Sequence, residues 1–328
     1  MFAPYAAAHL SPTGPGDARP TALQIIKDQE AEGKLVGRVA LITGCSSGIG
    51  VETARAIYAT GATVYVTARN LEKAKKALGD LLDTGRVHIL DLDLDSFDSV
   101  RRCAAEFLSK EEKLHLLILN AGVMTPPEGR TKDGFELQIG SNHLSHFLLF
   151  NLLKPALLAG SEYQLASRVV ILSSVGHRFG EPNLDDLNFE GKYDAHLAYA
   201  ASKTANLWTA NEIERKYGSE GIHAWAVHPG GIFTDLVRHV SEEQMAAMSS
   251  ETSLVSTFKS PEQGAATTVL AAVARDLEGR GGKYLENCQF SEPHDPSTGM
   301  WGPGYAPHAY SPDKERDLWN KSLGLVGL

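Results

Sequence analysis

The sequence predicts an α/β fold in which one doubly wound, seven-stranded parallel sheet carries helices on both faces. Short apolar runs alternate with longer helical patterns between residues 35 and 290, and most of the runs are continuously apolar. Such strands are buried on both faces, as in a parallel sheet covered by helices. The composition, 43% hydrophobic and 22% charged, is that of an ordinary globular protein.

The predicted elements follow one another at regular intervals. The strands are expected at 38–43, 62–67, 87–94, 114–120, 168–174, 222–227 and 283–286. The helices are expected at 49–59, 71–82, 96–109, 133–158, 197–217 and 261–275. β-Branched residues dominate the second strand, which is typical of strands. Because no composition break interrupts 35–290, we expect one domain there.

Two extensions flank this domain. Residues 1–34 form an N-terminal extension with a short helix at 21–32, and four prolines in the first twenty residues predict a loose tail. Residues 291–328 contain Pro, Gly and Trp and are expected to form an extended C-terminal appendage.

Charge and hydropathy exclude several classes of protein. The net charge of −9 argues against binding to nucleic acid or anionic membranes, which requires clustered Lys and Arg. No apolar run approaches the roughly 20 residues of a membrane span. The first residues lack the basic start and continuous apolar stretch of a signal peptide. We therefore expect a cytoplasmic protein without a membrane span.

The pattern of potential ligands argues against a metal site or disulfides. Cys45, Cys103 and Cys288 are scattered, and neither a CxxC nor an HExxH motif occurs. His143 and His146 lie three residues apart, and we interpret them as helix residues, one buried and one exposed. No metal is expected.

A glycine-rich turn follows the first strand and opens the first helix. Residues 43–50 read TGCSSGIG, with glycines at positions 44, 48 and 50. Glycine lets the backbone turn sharply and approach a pyrophosphate, whose charge the N–H groups of a helix N-terminus attract. A strand–turn–helix of this kind predicts dinucleotide binding, although a tight turn without a ligand remains the alternative.

This motif resembles the TGxxxGxG turn of the classical short-chain dehydrogenase/reductase family, and the resemblance covers about 36–290. It implies a Rossmann-type fold and a nicotinamide cofactor. The long stretch from Ser174 to Tyr199, and NHLSHF at 142–147, are similar to the retinol-dehydrogenase-like and WW-domain-oxidoreductase-like branch. That branch usually has Gly in place of Ser145. The last 28 residues resemble the tails of fungal reductases.

Residues 199–203 read YAASK, which places a phenol and an ammonium on one face of a helix. A phenol has a pKa near 10 in water, and a nearby ammonium lowers it. The resemblance implies that Tyr199 is the general acid–base and that Lys203 lowers its pKa and holds the nicotinamide ribose. It also implies that Ser174, with Ser173 as the fallback, orients the carbonyl, and that Asn142 supports a proton relay.

The second strand ends in TARN at 67–70, without a carboxylate before Glu72. In this type of fold an acidic residue there binds a ribose hydroxyl, whereas a basic one accommodates a 2′-phosphate. Arg69 therefore predicts NADP(H). The resemblance implies an adenine contact from Asp93, although Asp91 stays open. The cofactor-binding residues expected by resemblance are Gly44, Ser46, Ser47, Gly48, Ile49, Gly50, Arg69, Asp93, Leu94, Asn120, Ala121, Gly122, Tyr199, Lys203, Pro229, Gly230, Ile232 and Thr234.

Residues 235–260 are expected to form a lid over the nicotinamide, whose methionines, Met245 and Met248, suit an adaptable apolar wall. An ordinary surface helix is the alternative. We expect hydride transfer to or from a carbonyl or secondary alcohol of an apolar small molecule, and the resemblance of the tail suggests fungal secondary metabolism as its setting. A retinoid- or steroid-type dehydrogenase and a cofactor-binding scaffold protein remain open. The resemblance suggests a homo-oligomer built from helices near 96–109 and 133–158. His228 is expected to be packed rather than catalytic.

Overall fold

The structure is a computed structural model that describes residues 2–162, 165–241, 243, 245–246 and 250–328. Eight strands of the described chain form one sheet. They are β1 (Val39–Thr43), β2 (Thr63–Ala68), β3 (Val87–Asp91), β4 (Leu116–Leu119), β5 (Ser167–Leu172), β6 (Ile222–His228), β7 (Lys283–Glu286) and β8 (Gln289–Phe290). Their order is β3-β2-β1-β4-β5-β6-β7-β8.

The seven predicted strands all occur and pair in parallel. The eighth strand was not predicted. It pairs antiparallel with β7, with Leu285 opposite Phe290. Asn287 and Cys288 have positive φ angles of 51° and 57°, which close this tight hairpin. Its two-residue length makes it too short to show a pattern in the sequence.

The helices cover both faces of the sheet. They are α1 (Ala6–His9), α2 (Ala22–Asp28), α3 (Ile49–Ala59), α4 (Leu71–Leu78), α5 (Phe97–Leu108), α6 (Ser145–Gly160), α7 (Ala195–Tyr217), α8 (Thr252–Thr257), α9 (Pro261–Gly264), α10 (Ala266–Val273) and α11 (Pro312–Leu325). Two apolar cores result. One joins the sheet to α5, α6, α7 and α11, and the other joins it to α2, α3, α4 and α10.

The N-terminal tail, predicted to be loose, packs on the domain instead. Phe2 is buried against Phe290. Arg19 is buried, pairs with Asp17 at 2.8 Å and donates to the carbonyl oxygen of Phe258. The contacts of Phe2 with Phe290 and of Arg19 with Phe258 connect residues more than 200 positions apart, which local composition does not encode.

The C-terminal appendage also differs from the extended segment that was expected. It ends in α11, whose Trp319 packs edge-on against Phe147 of α6 with ring centroids 4.8 Å apart. Arg101 of α5 donates to the carbonyl oxygen of Val326 at 2.6 Å. The helices expected to form an oligomer interface therefore carry the C-terminal helix on them.

His143 and His146 are both buried, so the expectation of one exposed histidine is wrong. The reason is that α11 covers the side of the helix that would otherwise face solvent, and His143 Nε2 lies 2.9 Å from the Ser322 hydroxyl. Within the described ranges, no group of three or more His, Cys, Asp or Glu side chains is placed to hold a metal ion. Nor is any helix described there long and apolar enough to cross a bilayer.

Candidate active site

The candidate site lies where the strand order reverses, between the carboxyl ends of β1 and β4. In open α/β sheets, ligands bind in the crevice at such a switch point. Thr43 ends β1, and its hydroxyl accepts hydrogen bonds from the backbone N–H groups of Asn120 and Ala121 at 2.9 and 3.0 Å. The Asn120 amide donates to the Thr43 carbonyl oxygen at 2.8 Å. The glycine-rich turn and the turn after β4 are therefore joined.

Each glycine of the turn lies where a side chain would collide. A Cβ on Gly44, whose φ is 77°, would lie 2.8 Å from the Ala121 Cα, and one on Gly50 would lie 2.2 Å from the Gly44 carbonyl oxygen. Gly48 has a φ of 61°, and its Cβ would lie 3.0 Å from Thr234 Cγ2. The backbone of the turn thus closely approaches the loop after β6.

These residues fit a dinucleotide. Helix α3 begins at Ile49, so the N–H groups of its first turn lie at the crevice without partners inside the helix. The Asn120 Oδ1 atom is buried and has no hydrogen-bond partner among the described residues. Gly122 faces the catalytic side, because a Cβ there would lie 3.5 Å from Lys203 Nζ. Ser46 and Ser47 are half-buried within the turn.

Two charged residues beside this turn were not predicted. The Lys73 ammonium of α4 forms an ion pair with Asp235, which follows Thr234. Hydrogen bonds from Lys73 and Ser47 lower the pKa of the Asp235 carboxyl. Both partners of the ion pair are half-exposed. Sequence patterns could not reveal this pair, since its members are 162 positions apart.

Arg69 follows β2 and is exposed at the crevice. Of the two candidate aspartates, Asp91 is the exposed last residue of β3, whereas Asp93 is half-buried and pairs with Lys132 at 2.9 Å. The Leu94 carbonyl oxygen accepts a hydrogen bond from Ser145 at 2.7 Å. The Ser145 hydroxyl, at a position where related sequences usually have glycine, therefore has a specific hydrogen-bond partner.

Tyr199 and Lys203 lie one turn apart in α7, with 9% and 3% of their surfaces exposed. Lys203 Nζ lies 5.5 Å from the centre of the Tyr199 ring and donates to the Leu172 carbonyl oxygen at 3.1 Å. The Ser174 hydroxyl accepts from the Gly176 N–H at 3.0 Å. A Cβ on Gly176 would lie 3.0 Å from the Tyr199 ring, so this loop packs directly on the phenol.

Burial dominates the electrostatics of this pair. It raises the pKa of Tyr199 to about 12, against which a hydrogen bond with Ser174 acts. Burial lowers the pKa of Lys203 to about 8. Lys203 Nζ donates its hydrogen bond to a backbone carbonyl oxygen, and its effect on the pKa of the phenol stays a prediction. The phenol is therefore protonated at neutral pH.

The two serines after β5 have different surroundings. The Ser173 hydroxyl is buried and donates to the Lys203 carbonyl oxygen at 2.8 Å, which ties β5 to α7. Ser174 instead caps a short 3-10 turn at Val175–Phe179 and is the serine beside the phenol. Its position favours Ser174 over Ser173 as the residue that meets a substrate.

Asn142 lies in a π-helical turn, Ile139–Leu144, that precedes α6. Its side-chain oxygen accepts from the Val123 N–H at 2.8 Å, and its amide nitrogen donates to the Val123 carbonyl oxygen and to the Ser202 hydroxyl. π-Helical turns frequently occur at functional sites. Asn142 thus joins the turn after β4 to the helix that carries Tyr199 and Lys203.

The loop after β6 forms the opposite wall. Gly230 has a φ of 110°, and Lys259 Nζ donates to the Pro229 carbonyl oxygen at 3.3 Å and to Asn287 at 3.0 Å. Lys259 is 4% exposed, and burial lowers its pKa to about 8. Lys259 was not predicted as a site residue, since a single lysine beside Phe258 does not indicate burial. Burial also lowers the pKa of His228 well below its ordinary value, consistent with a packed, neutral ring.

The expected lid is described only in part. Met245 is half-buried, whereas Met248 lies outside the described residues. Phe258 at its end is buried and packs against Phe233, with ring centroids 4.5 Å apart. Ile232 meets Ile49 at Gly264, where a Cβ would lie 2.7 and 2.8 Å from their side chains. The role of the segment as a lid stays a prediction.

Comparison with known proteins agrees with this geometry. The sequence profile of the family described as short chain dehydrogenase matches residues 38–245. The short-chain dehydrogenase/reductase prx1 of Penicillium roqueforti is 48% identical over 324 residues, which cover 99% of this chain and 95% of that protein. Retinol dehydrogenase 12 of Homo sapiens is 38% identical over 299 residues, covering 90% and 88%. A crystal structure of an uncharacterized protein from Mycobacterium paratuberculosis superposes with a TM-score of 0.69 at 32% identity, covering 94% of this chain and 98% of that one.

Proposed function

The chain belongs to the short-chain dehydrogenase/reductase family of oxidoreductases, and we propose that it uses NADP(H) to interconvert a carbonyl and a secondary alcohol on an apolar small molecule. One observation carries the proposal. The buried Tyr199 phenol, beside Ser174 and Lys203, lies next to a glycine-lined crevice that fits a dinucleotide.

The reduced nicotinamide, when bound, supplies the hydride. Ser174 donates a hydrogen bond to the carbonyl oxygen of the substrate and stabilises the negative charge that develops on it. Tyr199 then gives its phenolic proton to that oxygen, for which the raised pKa keeps the group in the required form at neutral pH. Lys203 holds a positive charge close to the phenol and favours the phenolate that results.

NADP(H) is proposed over NAD(H) because of the charge around Arg69. This guanidinium is exposed at the end of β2, and no carboxylate stands between it and Glu72. A planar guanidinium can hold a phosphate through two parallel hydrogen bonds. Asp93, which follows β3, is paired with Lys132 at 2.9 Å.

Exposed apolar side chains close in sequence to the site residues support an apolar substrate. Phe179 follows the Ser174 turn, Leu197 precedes Tyr199 and Phe233 precedes Thr234, and each is more than 40% exposed. Phe179 packs edge-on against the half-exposed Trp301, with ring centroids 5.8 Å apart. Phe179 and Trp301 thus form an exposed apolar surface at the end of the turn that Ser174 caps, and such surfaces often bind ligands. The similarity to prx1 of Penicillium roqueforti supports our proposal that this activity belongs to fungal secondary metabolism.

A retinoid-type substrate is the second candidate, favoured by the similarity to retinol dehydrogenase 12. The test is NADPH and NADH oxidation by the purified chain with a panel of cyclic ketones, aliphatic ketones and retinal. We expect turnover with NADPH and a bulky apolar carbonyl. NADPH binding without turnover on any member would favour a cofactor-binding scaffold protein instead, and preference for retinal would favour the second candidate.

A further inference from the structure

His146 connects the glycine-rich turn to the catalytic helix, although its sequence position suggested only a packed helix residue. It is 2% exposed. Its Nε2 atom lies 3.0 Å from the Thr43 hydroxyl, and its Nδ1 atom lies 3.0 Å from the Asn142 carbonyl oxygen. No other described ring nitrogen contacts either of these two residues.

Hydrogen-bond donors and acceptors determine the tautomer. A threonine hydroxyl has one proton and two lone pairs. Both lone pairs of Thr43 accept backbone N–H groups, from Asn120 and Ala121, so its single proton is donated to His146 Nε2. Burial lowers the pKa of His146 to about 4, and the neutral ring therefore carries its proton on Nδ1. That proton is donated to the Asn142 carbonyl oxygen.

This chain of bonds spans the whole site. Thr43 begins the glycine-rich turn proposed to bind the dinucleotide. Its hydroxyl also accepts hydrogen bonds from the N–H groups of Asn120 and Ala121. Asn142 belongs to the π-helical turn. Its side-chain amide donates a hydrogen bond to the hydroxyl of Ser202 in α7, the residue before Lys203. Within the described chain, the His146 ring is the side chain that contacts both.

We propose that His146 is a positioning residue that sets the π-helical turn of Asn142 against the cofactor-binding end of β1. This proposal rests on the proposed function for its kinetic part only. Without the ring, the Thr43 proton and the Asn142 carbonyl oxygen lose their partners in a buried site, and each such loss is costly. The turn is then free to shift, and a small misplacement of catalytic groups strongly reduces rate.

His143 provides a matched control. It lies in the same turn, is 1% exposed and is neutral for the same reason, since burial lowers its pKa to about 3. Its Nε2 atom lies 2.9 Å from the Ser322 hydroxyl of α11, and its Nδ1 atom lies 3.4 Å from the Thr209 hydroxyl, which follows Lys203 by six residues in α7. Neither contact involves Thr43 or Asn142. His143→Phe and His146→Phe therefore make the same chemical change at equal burial, but only the second breaks the link to the site.

The experiment compares the two variants by thermal unfolding, by NADPH fluorescence titration and by steady-state kinetics. We expect both to lower the melting temperature. His146→Phe should also lower kcat about 10- to 100-fold and weaken NADPH binding about 5-fold, with the KM for the ketone little changed. His143→Phe should change kcat and NADPH affinity less than 3-fold. His146→Gln, which keeps a donor and an acceptor, should recover part of both losses.

A double-mutant cycle with Thr43→Val completes the test. If the two side chains act through one bond, the double variant should bind NADPH no more weakly than the worse single variant. Fully additive losses would overturn the proposal, as would equal kinetic losses in His143→Phe and His146→Phe. A wild-type protein that binds NADPH but reduces no carbonyl would contradict the proposed function, whereas the affinity comparison would still decide the role of His146.

Discussion

The Lys203 ammonium lies 5.5 Å from the centre of the Tyr199 ring but donates its hydrogen bond to the Leu172 carbonyl oxygen. The two groups therefore interact through space and not through a direct bond. Burial shifts their pKa values toward the neutral forms, to about 12 for the phenol and about 8 for the ammonium. The site thus holds a protonated phenol beside a lysine whose charge is easily removed.

Tyr199→Phe should abolish nearly all turnover, at least 100-fold in kcat, because it deletes the oxygen that exchanges the proton. NADPH affinity, measured by fluorescence titration, should remain close to that of the wild type. Tyr310→Phe is the matched control. Burial likewise raises the pKa of Tyr310 to about 12, but its oxygen accepts only the Tyr284 N–H at 3.0 Å. Substantial turnover in purified Tyr199→Phe would refute the assignment of the tyrosine.

Arg69→Ala should reduce the preference for NADPH over NADH. Losing a charged contact to phosphate costs about 1.5–3 kcal/mol, or roughly 10- to 100-fold in affinity. The measurement is the ratio of the two dissociation constants. Arg316→Ala, at an exposed position of α11, should leave the ratio unchanged. An unaltered ratio in Arg69→Ala would mean that the 2′-phosphate is held elsewhere.

Replacing Met245 and Met248 together with Ala should raise the KM for an apolar ketone several-fold. The physical reason is the loss of an adaptable apolar wall over the substrate. NADPH affinity should not change, because the methionines are expected to meet the substrate and not the cofactor. Substrate kinetics equal to those of the wild type would contradict the lid assignment.

Lys259 should make the protein more stable as the pH rises above 8. Burial lowers its folded pKa to about 8 from an ordinary 10.5, so between these values the unfolded chain binds more protons. The contribution of Lys259 to the free energy of unfolding therefore increases with pH across this window. In Lys259→Met the increase between pH 8 and 9.5, measured by urea unfolding, should be smaller, although Lys203 contributes in the same direction in both proteins. The exposed Lys76→Met should retain the wild-type slope.

Trp319→Ala should lower the free energy of unfolding by about 3–5 kcal/mol, since it leaves a cavity between α11 and α6. Trp319 is 4% exposed and contacts both Phe147 and Phe150. Trp301→Ala is the matched control at a position 46% exposed, and it should cost less than about 1 kcal/mol. Equal stabilities of the two variants would show that the C-terminal helix is not an integral part of the core.

The parallel sheet and the position of the crevice could be predicted from short stretches of the chain. The information is local there: continuous apolar runs, a glycine-rich turn between a strand and a helix, and a phenol and an ammonium four residues apart. These features act through backbone geometry within a few residues. For that reason the seven parallel strands and the family could be predicted.

The surroundings of the site residues depend on contacts between distant segments and are visible only in the tertiary structure. The burial of Lys259 and Arg19, the packing of α11 over α6, and the link from Thr43 through His146 to Asn142 all join segments far apart in the chain. The pKa values of Tyr199 and Lys203 follow from the same burial and not from their spacing. Desolvation depends on everything packed around a group, and no short stretch of sequence contains that information.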